Sequence, residues 1–114
     1  MMTTGKARQL SIYLGETDKY DHRALYMAII EWLRKEKIAG ATATRGIAGF
    51  GASSFLHTAN ILRLSMDMPI TVTVIDTPAA IDSIIEPLAA MAPHAMFTIH
   101  DVEVVRPAVG VVRG

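Results

Sequence analysis

The stretch GATATRGIAGFGASSFLHTANILRLSMDMPITVTV, Gly40–Val74, decides the fold. Its two ends read as strands. Ala41–Arg45 carries Thr42 and Thr44, residue types that suit a pleated surface, and Pro69–Asp76 (PITVTVID) is dense in β-branched residues. Between them, residues 46–68 hold Gly46, Gly49 and Gly51, the pair Ser53-Ser54, His57 and Arg63. Connections this long inside a small domain are usually functional or disordered. Ile61, Leu62, Leu64 and Met66 predict a short ordered element within it.

Moving outward from this stretch, Leu10, Ile12 and Leu14 alternate with Ser11 and Tyr13, the period of a half-buried strand. GETDKYD follows, rich in turn formers, with Asp18 expected to serve the turn. Asp21 is placed to cap a helix over His22–Lys37, whose apolar stripe is Leu25, Ile29 and Leu33, widened by Tyr26 and Ile30. Gly40 suits the residue just past that helix. On the other side, Thr77-Pro78 is a helix start, because proline is pre-organised for the first turn. Ile81, Ile84, Ile85, Leu88 and Met91 mark one face, and Pro93 ends the helix. A last strand covers Met96–Arg106. Its apolar residues shift from Phe97 and Ile99 to Val102 and Val104, which predicts a bulge near His100-Asp101. Pro107–Gly114 reads as a short, loose tail.

The order β-α-β-β-α-β is economically met by an α+β, ferredoxin-like sandwich, with both helices on one face of a four-stranded antiparallel sheet. The other face is then bare, and carries Ser11, Tyr13, Thr71, Thr73 and Ile75 or the opposite parity. The 114 residues, 1–114, read as a single domain. Hydrophobic residues make up 51% of the chain and the mean hydropathy is +0.32, apolar for a small monomer. Both observations predict an oligomer whose subunits meet through apolar surface.

Eleven basic residues balance eleven acidic ones, so no global field draws nucleic acid or cationic partners. RNA readers on such a fold need exposed aromatics with basic neighbours, and only Tyr13 is so placed, so no nucleic-acid partner is expected. Cysteine is absent, Met1–Gln9 has no apolar run typical of a secretory signal, and no run is long enough to span a bilayer. A cytoplasmic location is expected.

No nucleophilic elbow, paired-histidine metal motif or thiol is present, so an enzyme is not expected; a small hydrolase or isomerase is the least supported reading. GIAGFG, Gly46–Gly51, is neither a Walker loop nor GxGxxG; its glycines can turn backbone N–H groups toward an anion or simply permit positive φ. Arg45 and Arg63 flank it with donors suited to phosphate or carboxylate. His57, Thr58 and Asn60 can contact a ligand or cap the following turn. Asp67 and Glu16 are further polar candidates with no spacing that ties them to a site. A metal alternative uses His57, His94 or His100 with Asp101.

LSIYLGETDKY, GATATRGIAGFGASSFLHTANILRLSMDMPITVTVID and the helix after them resemble the PII-like family known as domain of unknown function 190, over roughly residues 8–106. GATATRGIAGFG is also similar to the segment leading into the mobile loop of PII signalling proteins. Thr42, Gly49 and Gly51 match it, with one extra residue before GFG. Arg106 resembles a PII arginine that meets phosphate. The resemblance implies a homotrimer of ferredoxin-like subunits, and an adenine nucleotide is the one cofactor candidate. It also implies small effectors, often adenine nucleotides, in clefts between subunits, and a loop that relays the effector to a membrane transporter or enzyme. Together with Arg45, Gly46 and His57, read from their chemistry, the residues matched by the resemblance make the expected ligand-binding set Thr42, Arg45, Gly46, Gly49, Gly51, His57 and Arg106. The glycine-rich, lysine-bearing segment that grips phosphate in PII proteins is replaced here by MAPHAMF, Met91–Phe97. The metal alternative resembles the CutA branch of the same fold.

Overall fold

The computed structural model describes residues 4–49 and 67–106. Among the described residues eight elements follow one another: β1 Gly5–Gly15, β2 Lys19–Tyr20, β3 Arg23–Ala24, α1 Leu25–Lys35, β4 Gly40–Arg45, β5 Pro69–Asp76, α2 Pro78–Met91 and β6 Met96–Val104. Four strands form one antiparallel sheet in the order β4-β5-β1-β6, and β2 pairs with β3 as a separate ribbon. The expected α+β, ferredoxin-like sandwich is the fold observed.

Parity decides which side of the sheet is covered. Leu10, Ile12 and Leu14 of β1 and Ile70, Val72 and Val74 of β5 face the helices and are buried. Leu25, Ile29 and Leu33 of α1, with Ile81, Ile84 and Leu88 of α2, complete the core. Removing each such side chain from water contributes about 1.5–3 kcal/mol. The α2 start is capped as expected, with Thr77 Oγ1 accepting from the Ala80 N–H at 3.2 Å and Pro78 in the first turn. Asp76, buried at the end of β5, accepts from Ala39 N–H at 2.9 Å and from Thr77 N–H at 2.7 Å. It thereby ties the approach to β4 to the start of α2.

Three expectations about element ends are corrected. Asp21 does not cap α1. The helix starts at Leu25, its N-cap is Ala24, and no side chain caps it. Asp21 and His22, with φ of 51° and 69°, make the tight turn between β2 and β3 instead. Asp and His tolerate the left-handed region better than most residues, so this turn forms without glycine. Gly40 is not the residue past α1, since it begins β4. Lys37, with φ 61°, takes that place, and donates to Arg34 O at 3.0 Å while Ile38 donates to Leu33 O at 3.2 Å. This double bond pattern is a Schellman end built without glycine.

The expected bulge in β6 is absent. Its register with β1 is unbroken from Gly5↔Val104 to Tyr13↔Met96. The apolar residues change face because β1 and β6 outrun the rest of the sheet. β5 accompanies β1 only as far as Arg8, opposite Asp76. Phe97 still packs against the core beneath the helices, and Ile99, on the same side, is already exposed. Beyond them the helix-side places are taken by Asp101 and Glu103, and Val102 and Val104 turn to the opposite side. The expected loose tail at 107–114 and the ordered element at Ile61–Met66 lie outside the described residues.

The uncovered face is rich in hydroxyls. Thr42, Thr73, Ser11 and Thr98 stand side by side across all four strands. The neighbouring row is Thr44, Thr71, Tyr13 and Met96. Of the two expected parities, the one with Ser11, Tyr13, Thr71, Thr73 and Ile75 outward is the one found.

Candidate functional site

Strand pairing brings the two ends of the long connection together. Arg45 lies opposite Ile70, and Gly46 N–H donates to Pro69 O at 2.8 Å. Gly46 sits close enough to its neighbour that a Cβ there would fall 3.0 Å from Pro69 Cγ. Gly49 has φ +151°, a backbone conformation that side chains avoid. The backbone angle thus favours glycine at Gly49, while at Gly46 a side chain would press on the Pro69 ring.

The turn after β1 clamps this base from the side. Glu16 N–H donates to Met68 O at 2.9 Å, and Thr17 N–H donates to Asp67 Oδ1 at 3.1 Å. Asp18 Oδ2 accepts from Gly15 N–H at 2.9 Å, the turn role expected of it. From the other side, Arg45 Nη1 stands 3.3 Å from both carboxylate oxygens of Glu16. The Arg45 side chain is 59% exposed and that of Glu16 26%. Glu16 and Asp67, which no sequence spacing linked to the loop, are thus its anchors. The signal that finds them is register: Gly15 pairs with Pro69, so Glu16 meets Met68 one step beyond the strands and Thr17 meets Asp67 two steps beyond.

The other end of the sheet holds a second charged group. Arg8 Nη1 reaches Asp82 of α2 at 2.7 Å and its Nε reaches Asp101 of β6 at 3.0 Å. The hydrogen bond to Asp101, more than any other contact, raises the pKa of the Arg8 guanidinium, with desolvation acting against it. Lys6, Arg8, Pro78, Asp101 and Glu103 line an open hollow of about 560 Å³ where β1 and β6 project past α2. Arg106 lies at this end, its N–H donating to Thr4 Oγ1 at 3.2 Å. Lys6 and Arg8 were not singled out by the sequence, because alternate residues in a strand end carry no motif.

The expected ligand-binding residues are therefore not gathered in one chain. Arg45, Gly46 and Gly49 lie together at the loop end. Thr42 lies on the hydroxyl face, opposite in parity to Arg45. Arg106 is at the far end, about 30 Å away at the usual rise per strand residue. Gly51 and His57 lie outside the described residues, as do Arg63, Thr58 and Asn60. For the metal alternative, His100 and Asp101 are adjacent in β6 and point to opposite faces. Among the described residues no group of three or more His, Asp or Glu is placed to hold a metal ion. Among them, too, no helix is long and apolar enough to cross a membrane.

Comparison with known proteins agrees with this architecture. The model of the family domain of unknown function 190, described as "Uncharacterized ACR", matches residues 7–104. A UPF0166 protein of Methanocaldococcus jannaschii is 35% identical over 83 residues, covering 73% of this chain and 76% of the relative. A UPF0166 protein of Aquifex aeolicus is 26% identical over 104 residues, covering 91% and 98%. Among solved structures, CPII bound to ADP, AMP and acetate, from Thiomonas intermedia, superposes with a TM-score of 0.63. It shares 16% identity, and the match covers 93% of this chain and 95% of CPII. At that identity the likeness speaks for the PII-like ferredoxin fold.

Proposed function

The chain belongs to the domain of unknown function 190 family, and on that premise we propose that it is a non-catalytic, PII-like regulator of the cytoplasm. It binds an adenine nucleotide in clefts between the subunits of a homotrimer. The 46–68 connection reports occupancy to a partner, a membrane transporter or an enzyme. Residues 1–114 act as one domain.

The observation that carries this reading is the division of cations between the two ends of the sheet. Arg45, with Gly46 and Gly49, is at one end; Arg106, with Lys6 and Arg8, is at the other. One chain cannot close both around a ligand the size of a nucleotide. Two copies packed side by side can, and the bare hydroxyl face, free of any charge in its two central rows, offers a surface on which to pack. Arginine at both ends suits a phosphate, which its planar fork meets with paired hydrogen bonds. The PII grip is missing from Met91–Phe97, so in this reading the arginines and the backbone N–H groups near Gly46 and Gly49 do its work. Thr42, Gly51 and His57 complete the proposed set.

The experiment is calorimetric titration of ADP, AMP and ATP into the purified protein, with thermal unfolding alongside. A ligand at a hundred times its dissociation constant adds about 2.7 kcal/mol of stability. Binding of a nucleotide that is weakened by either Arg45→Gln or Arg106→Gln supports the reading. Absence of heat and of any melting shift with all three nucleotides removes it.

A further inference from the structure

We propose that Glu16 is a built-in competitor for the anion that Arg45 receives. This rests on the reading of Arg45 as a ligand contact. Without ligand, the Glu16 carboxylate occupies the guanidinium; an incoming phosphate must displace it.

Three observations support the exchange. The pair is loose. A single nitrogen, Nη1, is shared between Oε1 and Oε2 at 3.3 Å each, whereas a strong charge-assisted bond is near 2.7–2.9 Å. A phosphate engaging the fork of the guanidinium makes two better bonds. Second, the carboxylate cannot wander far when displaced. Its backbone is held by the Glu16 N–H bond to Met68 O, and the next residue by the Asp67 carboxylate. Third, the surroundings punish its release. Asp67 and Asp18 both crowd Gly15, each with an oxygen within 3.4 Å of the place a Cβ would take there. A freed Glu16, next in the chain to Gly15, loses the cation that offsets its charge in this acidic neighbourhood.

Glu16 thus sets how much anion is needed to take Arg45. It also links that exchange to the exit of the connection, because the same residue bonds Met68. Arg45 stands before the connection and Met68 after it, so one ion pair spans both ends.

The test is a double-mutant cycle read by calorimetric titration of ADP at low ionic strength into the full chain. The proteins are the parent, Glu16→Gln, Arg45→Gln and the double variant. Glutamine keeps the backbone bonds and the size of residue 16, and a melting curve checks that each variant folds. Glu16→Gln is expected to bind ADP about two- to fivefold more tightly, the range an exposed ion pair commands. The gain is expected to vanish when Arg45 is already glutamine. Equal or weaker ADP binding by Glu16→Gln, with the parent binding normally, overturns the competitor while leaving the nucleotide reading intact. A gain that persists undiminished in the Arg45→Gln background overturns it as well, since Glu16 then acts through another group. If no variant binds ADP, the nucleotide reading itself fails and takes the competitor with it.

Discussion

Gly15 and Asp67 approach so closely that a Cβ on the glycine would lie 2.9 Å from the aspartate's Oδ1. The contact joins the end of β1 to the end of the long connection, and the same oxygen accepts the Thr17 N–H. The glycine is thus required by a neighbour and not by its own backbone angle.

Gly15→Ala is therefore expected to displace Asp67 and lower stability by about 1–3 kcal/mol, the usual cost of forcing atoms into a filled place. Gly40→Ala is the control. Nothing lies within 4 Å of a Cβ there, so the change stays within about 0.5 kcal/mol. Urea unfolding of the two variants separates them; equal losses would show that Asp67 yields freely.

Lys37 offers the opposite case. It holds φ 61° at the end of α1, in the place that glycine usually fills. The left-handed region costs a side-chain-bearing residue about 1–2 kcal/mol, and glycine gives back part of that through its freer unfolded state. Lys37→Gly is expected to stabilise the protein by about 0.5–1 kcal/mol, read as a higher urea midpoint with unchanged slope.

Asp76 satisfies two backbone donors from within the fold. Replacing it by alanine leaves the N–H groups of Ala39 and Thr77 without their partner, at about 1–3 kcal/mol. Asp76→Asn retains one acceptor and is expected to lose less. Chemical denaturation ranks the two, and hydrogen exchange is expected to rise at both Ala39 and Thr77 in the alanine variant and at one of them in the asparagine variant.

Thr73 lies at the centre of the hydroxyl face, between Thr42 and Ser11. If that face joins the subunits, Thr73→Arg sets three guanidinium groups against one another. Sedimentation is expected to change from three chains of 12.4 kDa to one, with the far-ultraviolet spectrum preserved. A variant that still sediments as the parent does places the seam elsewhere.

The main features of the fold could be read from residue order because burial imposes a period. Leu10–Leu14 and Pro69–Asp76 show the two-residue repeat of strands with one covered face, and Ile81–Met91 shows the helical one. The misread points are those where local chemistry has two solutions. Asp21 ahead of an apolar helix looks like a cap, and a two-residue strand such as Lys19–Tyr20 leaves no period to argue otherwise. The change of parity in β6 is the signature of a bulge and equally of a strand that outruns its cover; only the layer above it decides. Of the site, Arg45 and its glycines were legible because they lie in one run. Glu16 meets Met68 and Thr17 meets Asp67 across 50 or more residues, so these contacts are a property of the register between β1 and β5, not of either neighbourhood.

The row Thr42, Thr73, Ser11 and Thr98 has a consequence for the life of the chain before it finds company. An oily face would have to be shielded as soon as it was made, and a charged one would resist being covered afterwards. Hydroxyls accept water on one day and a neighbour's hydroxyls on the next, at little cost in either direction. If copies of the chain do pack through this face, as proposed, a newly synthesised subunit can finish folding alone, stay dispersed, and join its fellows later without first rearranging.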